Sequence, residues 1–337
     1  MYMNYENINL TKSMYTNSAK SFSQILEDLD PSSEYAGTEL EGMDAYQRQL
    51  KRFDIKVCGK DSDMVQKFFA APESSILFPE YVRRAVKQGM SEIVNVEDIA
   101  AAVTVIPGID YRSISADIST TISTEIAEGG TISSSPVTTK PNLVDLKKYG
   151  SMLVASYESL KFQRIDIFTV ALKRIGANIA SQQLNDAVSI IKSGDNSNAA
   201  GVVNVATADT VTYDDILKVW AALQPYEMNT IIVSKDVMQL LLAIDEFKNP
   251  LTGLNFQGTG KLSTPLGAKL ICSSSLAEKT FIALDKKYSL EMVVSTDVSV
   301  EYDKLIDCQT ERTAITSTVG FSKIFADASK VLSLATA

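Results

Sequence analysis

Residues fit for chemistry are few in this chain and poorly grouped. There is no histidine, the side chain most used as general base and metal ligand near neutral pH. Its absence removes Ser-His-Asp triads, Cys-His dyads and nearly every zinc site together. Cys58, Cys272 and Cys308 lie far apart without paired spacing, which reads as reduced thiols in a cytoplasmic protein. Gly258-Thr259-Gly260-Lys261 invites comparison with a phosphate loop. It lacks the full Gly-x4-Gly-Lys-Ser/Thr spacing and a buried strand before it, so a surface loop fits better. The carboxylates Asp214, Asp215 and Asp285 fall where helix starts and turns explain them. Arg48, Lys51, Arg52 and Lys56 form the most basic stretch. Contact with nucleic acid and a solvated helix face paired with acidic neighbours are both open there, and the second fits better. No catalytic, cofactor-binding or metal-ligating residue is assigned.

Composition narrows the classes further. The chain has 337 residues, enough for one large domain or two ordinary ones. Hydrophobic residues make up 45% and charged residues 22%, the balance of a folded soluble protein. Acidic residues number 41 against 32 basic ones, giving a net charge of -9. A sequence-specific DNA reader needs a basic stripe to neutralise phosphates, and the chain as a whole argues against that role. No run approaches the ~20 apolar residues of a membrane helix. The opening Met-Tyr-Met-Asn-Tyr-Glu-Asn lacks the basic and apolar regions of a secretory signal.

The elements that would carry function are therefore shapes. Residues 1–75 are polar, with short helices expected over Ser21 to Leu29 and Met43 to Ile55 around the turn Asp30-Pro31-Ser32-Ser33. This segment reads as too poor in apolar residues to build its own core. A flexible tail and an arm ordered on neighbouring chains are both open. Glu80 to Gly89 reads as a helix with Tyr81, Val82, Ala85 and Val86 on its apolar side. From Ile114 to Ile126 apolar and polar residues alternate strictly, the mark of a half-buried strand. Gly129-Gly130 permits a turn, and a second strand is expected through Leu143 to Leu146 and on towards Met152 to Ala155. Such a long hairpin is marginal alone and needs something to lie on. Ser156 to Lys192 reads as one helix, with Ile165, Phe168, Leu172, Ile175, Ile179, Ala187, Ile190 and Ile191 as its stripe. Its length would be about 55 Å, the full width of a compact domain of this size. An α/β pattern follows. Thr212 caps a helix buried through Ile216, Trp220 and Leu223; Thr230 to Val233 is a buried strand; and Ser234 caps a helix through Ile244. Asn249 to Gly267 reads as a surface loop, and strands are expected at Lys269 to Cys272, Phe281 to Leu284, Leu290 to Val294, Val298 to Tyr302 and Arg312 to Phe321. A short helix or strand from Ala326 to Leu334 closes the chain, and the fold class is α+β.

That order of elements resembles the Hong Kong 97-type major capsid protein of tailed bacteriophages. Several stretches are similar to the version in phages of Gram-positive hosts: Ser75 to Tyr81, Val144 to Leu160, Gln163 to Phe168, Leu290 to Val293, Glu301 to Asp307 and Gly320 to Phe325. The resemblance implies an N-terminal arm over 1–75, a hairpin called the E-loop over 111–149, and a peripheral domain from 76–110 and 150–205 with its spine helix at 156–192. It further implies an axial domain over 206–292, peripheral strands over 293–322 and a return to the axial domain over 323–337.

By the same resemblance the chain associates with copies of itself, as hexamers and pentamers, into an icosahedral virion shell assembled in the host cytoplasm. Packaged double-stranded DNA would be contacted non-specifically; a separate scaffolding protein, a portal and a decoration protein are the further partners; no membrane and no cofactor are involved. Candidate subunit contacts are Ile118, Ile122, Glu125, Ile126, Glu128 and Lys140 on the hairpin, Tyr46 and Phe53 on the arm, and Asp303 and Asp307 in a loop near local three-fold axes. The hairpin's isoleucines and the arm's aromatics, Tyr15, Phe22, Tyr35, Tyr46 and Phe53, are expected to be covered only by neighbours. The lysine-asparagine cross-link of some relatives has no matching residues here. The rival readings are an encapsulin-type compartment and, from another class, a soluble α/β enzyme.

Overall fold

The computed structural model describes residues 4–15, 20–116, 137–195, 198–248, 266–305 and 307–335. The chain divides into two compact units. One holds residues up to Glu92, Gly150–Ile179 and Val298–Ser317; the other holds Ile93–Tyr149, Ala180–Asp297 and the chain from Thr318.

The first unit overturns the expectation that the N-terminal segment has no core. Helices α1 (Phe22–Leu29) and α2 (Ala45–Arg52) each begin with a reciprocal cap, Ser21 with Gln24 and Asp44 with Gln47. A 14-residue helix, α4 (Phe78–Ser91), follows the single turn α3 (Pro72–Ser75). Phe22, Leu26, Tyr35, Tyr46, Leu50, Val65 and Phe68 are all buried within the chain. Tyr15 is 36% exposed, yet it stacks on Phe22 at 4.5 Å and donates its hydroxyl to the Ile76 carbonyl. The expected cover from neighbours is thus wrong for Phe22, Tyr35 and Tyr46. Polar networks make up for the sparse apolar content. Arg48, fully buried, ion-pairs with Asp30 at 2.6 Å, donates to Ser32 Oγ and the Met43 carbonyl, and lies over the Tyr35 ring. Glu80, also buried, takes Arg83 and Arg84. Burial raises its carboxyl, but Arg83 and its other partners outweigh that and hold it below its ordinary value.

The long helix is interrupted, which corrects the single span expected over Ser156 to Lys192. It is built as α5 (Tyr157–Phe162) and α6 (Ile165–Ser193), with an extended residue, Gln163, between them. The Val65 N–H donates to the Gln163 carbonyl and the Ile165 N–H to the Asp63 carbonyl, a strand-like bridge in place of helical bonds. Arg164 fastens the break through the Lys60 carbonyl and Ser62 Oγ. The 29 residues of α6 span about 44 Å. Helices α4 and α6 cross in near backbone contact. A Cβ on Gly176 would lie 2.1 Å from the Val86 carbonyl oxygen, and one on Gly89 2.1 Å from that of Lys173. Phe68, Phe78, Tyr81 and Phe168 fill the space beside the crossing.

The second unit is layered on a five-stranded sheet in the order β5 (Gly201–Asn204), β11 (Ser329–Ser333), β8 (Phe281–Leu284), β6 (Thr230–Ser234), β7 (Lys269–Ser273). Alternation along its central strands divides two cores. Ile231, Val233, Phe281 and Ala283 meet Val219 and Leu223 of α7 (Tyr213–Leu223) and Val237 and Leu241 of α8 (Lys235–Ala243). Ile232, Ile282, Leu284 and Val331 meet Leu184, Val188 and Ile191 of α6. Trp220, expected inside, is 41% exposed, because Ile216, Val219 and Leu223 already fill the α7 stripe. Ser234 does precede α8, but its hydroxyl bonds across the sheet to Thr280 and makes no cap.

A four-stranded sheet has the order β1 (Ala102–Val105), β9 (Leu290–Leu305), β10 (Thr310–Lys323), β4 (Leu146–Ser156). The two strands expected at 290–294 and 298–302 are one, β9. The hairpin's second leg is also corrected. β2 (Ile114–Ala116) pairs antiparallel with β3 (Val137–Thr139), Ser115 opposite Thr138, while β4 joins β10. Leu143 to Ala155 is therefore no partner of Ile114.

Candidate functional site

The most organised polar site in the second unit is the root of that hairpin. On the outgoing side, Glu291 of β9 is buried and accepts Thr104 Oγ1 at 2.6 Å, the Tyr111 hydroxyl at 2.7 Å and Ser113 Oγ. Burial, with the bond to Glu291 adding, pushes the Tyr111 phenol up. On the returning side, Lys140 is buried and spends all three ammonium donors. They go to Asp195 Oδ2 at 2.6 Å, Ser322 Oγ at 2.9 Å and the Lys323 carbonyl at 2.6 Å. Asp195, just past the end of α6, also takes Ser322 Oγ, the Lys323 N–H and Asn198 Nδ2. Burial raises its carboxyl; Lys140 and Ser322 outweigh this and hold it low. Lys323, fully buried at the end of β10, donates to the Ile191 carbonyl in the last turns of α6. Burial, reinforced by Lys330, pushes its ammonium down to about 8. The two legs are joined by the Lys140 N–H to the Ser113 carbonyl and the Val144 N–H to the Tyr111 carbonyl, each 2.8 Å.

This arrangement holds a backbone and offers no reacting group. The Lys140 and Asp195 side chains border a cavity of about 160 Å³ with Tyr149, Asp186 and Phe321, and each is already saturated with partners. A wider cleft of about 490 Å³ lies between Thr210–Asp214 and Leu240–Glu246, rimmed by Asp214, Asp245 and Glu246 without a nucleophile-base pair. Among the described residues no group of acidic, cysteine or histidine side chains has metal-site geometry, and no helix is long and apolar enough to cross a membrane.

Residues 139–304 match the family model described as phage capsid protein. That match takes in just under half of the chain. Solved structures share the fold of this chain. A virus-like particle from Pyrococcus furiosus superposes with a TM-score of 0.53 at 12% identity, over 76% of this chain and 99% of that one. The capsid of a native GTA particle gives 0.52 at 14%, over 71% and 89%. A structure titled Mycobacterium phage Che8 gives 0.51 at 13%, over 74% and 92%. At such identities they speak for the fold, which is of the Hong Kong 97 type. No curated protein matches the chain.

Of the residues singled out in the sequence, Lys140 is placed at the hairpin root, paired inside its own chain. Tyr46 is buried with its hydroxyl on the Leu77 carbonyl, beneath the Arg84 guanidinium. Both side chains are buried within the chain. Phe53 is half-buried against Arg52. Asp303 and Asp307 are exposed near the turn between β9 and β10. Ile118, Ile122, Glu125, Ile126 and Glu128, with Gly258 to Lys261, lie outside the described residues. The basic stretch at 48–56 is no uniformly solvated face: Arg48 is buried on Asp30, and Arg52 reaches Glu73 and the Ile8 carbonyl. Sequence reasoning missed Glu291, Asp195 and Lys323. A charged residue between apolar strand neighbours, as in Leu290-Glu291-Met292, was the available signal.

Proposed function

We propose that this capsid protein forms the main shell of a tailed-phage head, as hexamers and pentamers closing into an icosahedron around double-stranded DNA. The carrying observation is that both legs of the hairpin are fixed by buried charged groups. A subunit that fixes the root in this way can present the intervening 114–139 segment to a neighbour in one direction. The alternating isoleucines Ile118, Ile122 and Ile126 would find their cover there. At about 25 cal/mol per Å² of apolar surface, a modest overlap contributes several kcal/mol per contact, and repetition round a closed shell makes weak contacts stable. Exposed Asp303 and Asp307 suit a further contact at the β9–β10 turn. Scaffold, portal and decoration proteins are the remaining partners, and assembly takes place in the host cytoplasm. The net charge of -9 fits an inner surface to which packaged DNA does not adhere.

The test is negative-stain microscopy of the expressed chain, alone and with a candidate scaffold. Closed particles of uniform diameter are expected; a monomer under both conditions would sink the reading. A shell around cargo enzymes is the second reading, motivated by the likeness to the Pyrococcus furiosus particle. Particles that carry co-purified protein and no nucleic acid from phage-infected cells would favour it.

A further inference from the structure

We infer that the outer edge of β4 is an interface between copies: Gly150–Ser156 pairs antiparallel with the same residues of a second copy, about a two-fold axis at Leu153. The inference rests on the capsid reading and deepens it by naming a surface where one copy meets another. β4 is an end strand of the four-stranded sheet, and among the described residues no strand pairs with its outer side. Long open edges invite pairing with another chain, and proteins usually blunt them with charge or proline. The run Gly150-Ser151-Met152-Leu153-Val154-Ala155-Ser156 has neither. Met152 and Val154 stand 57% and 53% exposed on one face of it. The sheet's other end strand, β1, spans only four residues, which offers little ladder to a partner. The longer edge is the one left in need of cover.

The Tyr157 N–H donates to the Gln309 carbonyl at one end of the β4–β10 pairing. A Cβ on Gly150 would touch Thr316, and one on Gly320 would touch Leu146, in the same register. Backbone groups alternate in an antiparallel pair, so residues 150, 152, 154 and 156 turn their N–H and C=O outward. In a two-fold pairing centred on Leu153 these meet one another, Gly150 with Ser156 and Met152 with Val154. The next outward pair decides the register. It sets Lys148 of one copy against Glu158 of the other, in the first turn of α5. Both side chains are exposed, and neither makes an ion pair among the described residues, whereas the adjacent Lys147 is already on Asp186. Moving the axis one residue either way sets Lys148 against Ser156 or Leu160 and leaves Glu158 unmatched. Rings of five and six are closed by head-to-tail contacts, so a two-fold contact joins one ring to the next. It is small, so free chains hold it weakly and a closed shell holds it by repetition.

The experiment starts from the full chain with the exposed Cys58, Cys272 and Cys308 replaced by serine and reads disulfide-linked dimers formed under diamide. In the inferred register the two Leu153 residues are a non-hydrogen-bonded pair with Cα atoms about 4.5 Å apart, within disulfide reach. Leu153→Cys should therefore couple about tenfold or more faster than Ser151→Cys, whose two positions would lie roughly 13 Å apart along the ladder. Lys148→Glu or Glu158→Lys should each slow the Leu153→Cys coupling, and the two together should restore it. Met152→Pro removes an outward N–H and leaves the bonds to β10, so coupling should fall at an unshifted thermal midpoint. No dimer from Leu153→Cys, in solution or in particles, overturns the inference. So does equal coupling through Ser151→Cys, which marks random collision. Preferential coupling of Leu153→Cys chains to Val103→Cys chains also overturns it, by placing the β1 edge of another copy there. Failure of the original chain to form particles counts against the capsid reading instead, and the dimer band still decides the edge.

Discussion

Residues 4–92 and the hairpin at 114–139 share a polar sequence character, but the chain treats them differently. In the first, a few aromatic and aliphatic side chains are distributed so that each lands in one interior, with Phe68 against Phe78 and Tyr81, and Tyr35 over Arg48. Its charges are paired inward, Arg48 on Asp30 and Arg84 on Glu80 and Asp44. In the second, apolar and polar residues alternate in the sequence, and among the described residues the buried charges sit at the root, Lys140 on Asp195 and Glu291 on Ser113. Apolar count alone does not decide whether a segment completes itself. What decides it is whether its apolar groups converge and its buried charges find partners.

The hardest blow to this contrast would come from Gly176→Val. The new side chain would drive into the Val86 backbone at the α4–α6 crossing, and a loss above about 4 kcal/mol is expected in urea unfolding. A loss below about 1 kcal/mol would mean that the N-terminal residues are an appended arm after all. Next comes Asp30→Asn, which strands the buried Arg48 guanidinium and should cost about 3 kcal/mol. Adding Arg48→Met to that variant should restore a good part, and a double-mutant cycle showing no coupling would refute the inward pairing.

A smaller effect belongs to the hairpin root. Lys323 titrates near 8 in the folded chain against 10.5 ordinarily. Between those values the unfolded chain binds the extra proton, so this group's contribution to stability rises with pH from about 8 towards 10.5. Urea midpoints at pH 7.5 and 9.5 should converge between the unchanged chain and Lys323→Met as pH rises; a constant gap would contradict it. The smallest stability change is expected for Ile122→Ser. The isolated subunit should stay within about 0.5 kcal/mol of the original while particle yield falls. A cooperative loss of subunit stability would show that the hairpin covers itself.

Much of this was readable from residues. The buried runs Thr230 to Val233 and Phe281 to Leu284 and the helical stripe from Ile165 to Ile191 follow from apolar patterning alone, and Thr212 with Asp215 announces the start of α7. Other features depend on distant residues that no local pattern encodes. The break at Gln163 exists because Asp63 and Val65 offer backbone partners about a hundred positions earlier. The described part of the hairpin's second leg, Val137–Thr139, holds a single apolar residue, and the longer apolar run after it gives the stronger local signal. The importance of Gly176 lay in another helix's carbonyl. Lys140 looked like surface because lysine usually is, and only the meeting of Asp195, Ser322 and Lys323 makes its burial tolerable.

The half-exposed indole on α7 gives the experimenter an unlabelled gauge. Trp220 is the chain's single tryptophan, so all indole emission comes from one known spot on α7. Its colour and its quenching by iodide will therefore register whatever comes to rest on that helix, in real time and in the native sequence.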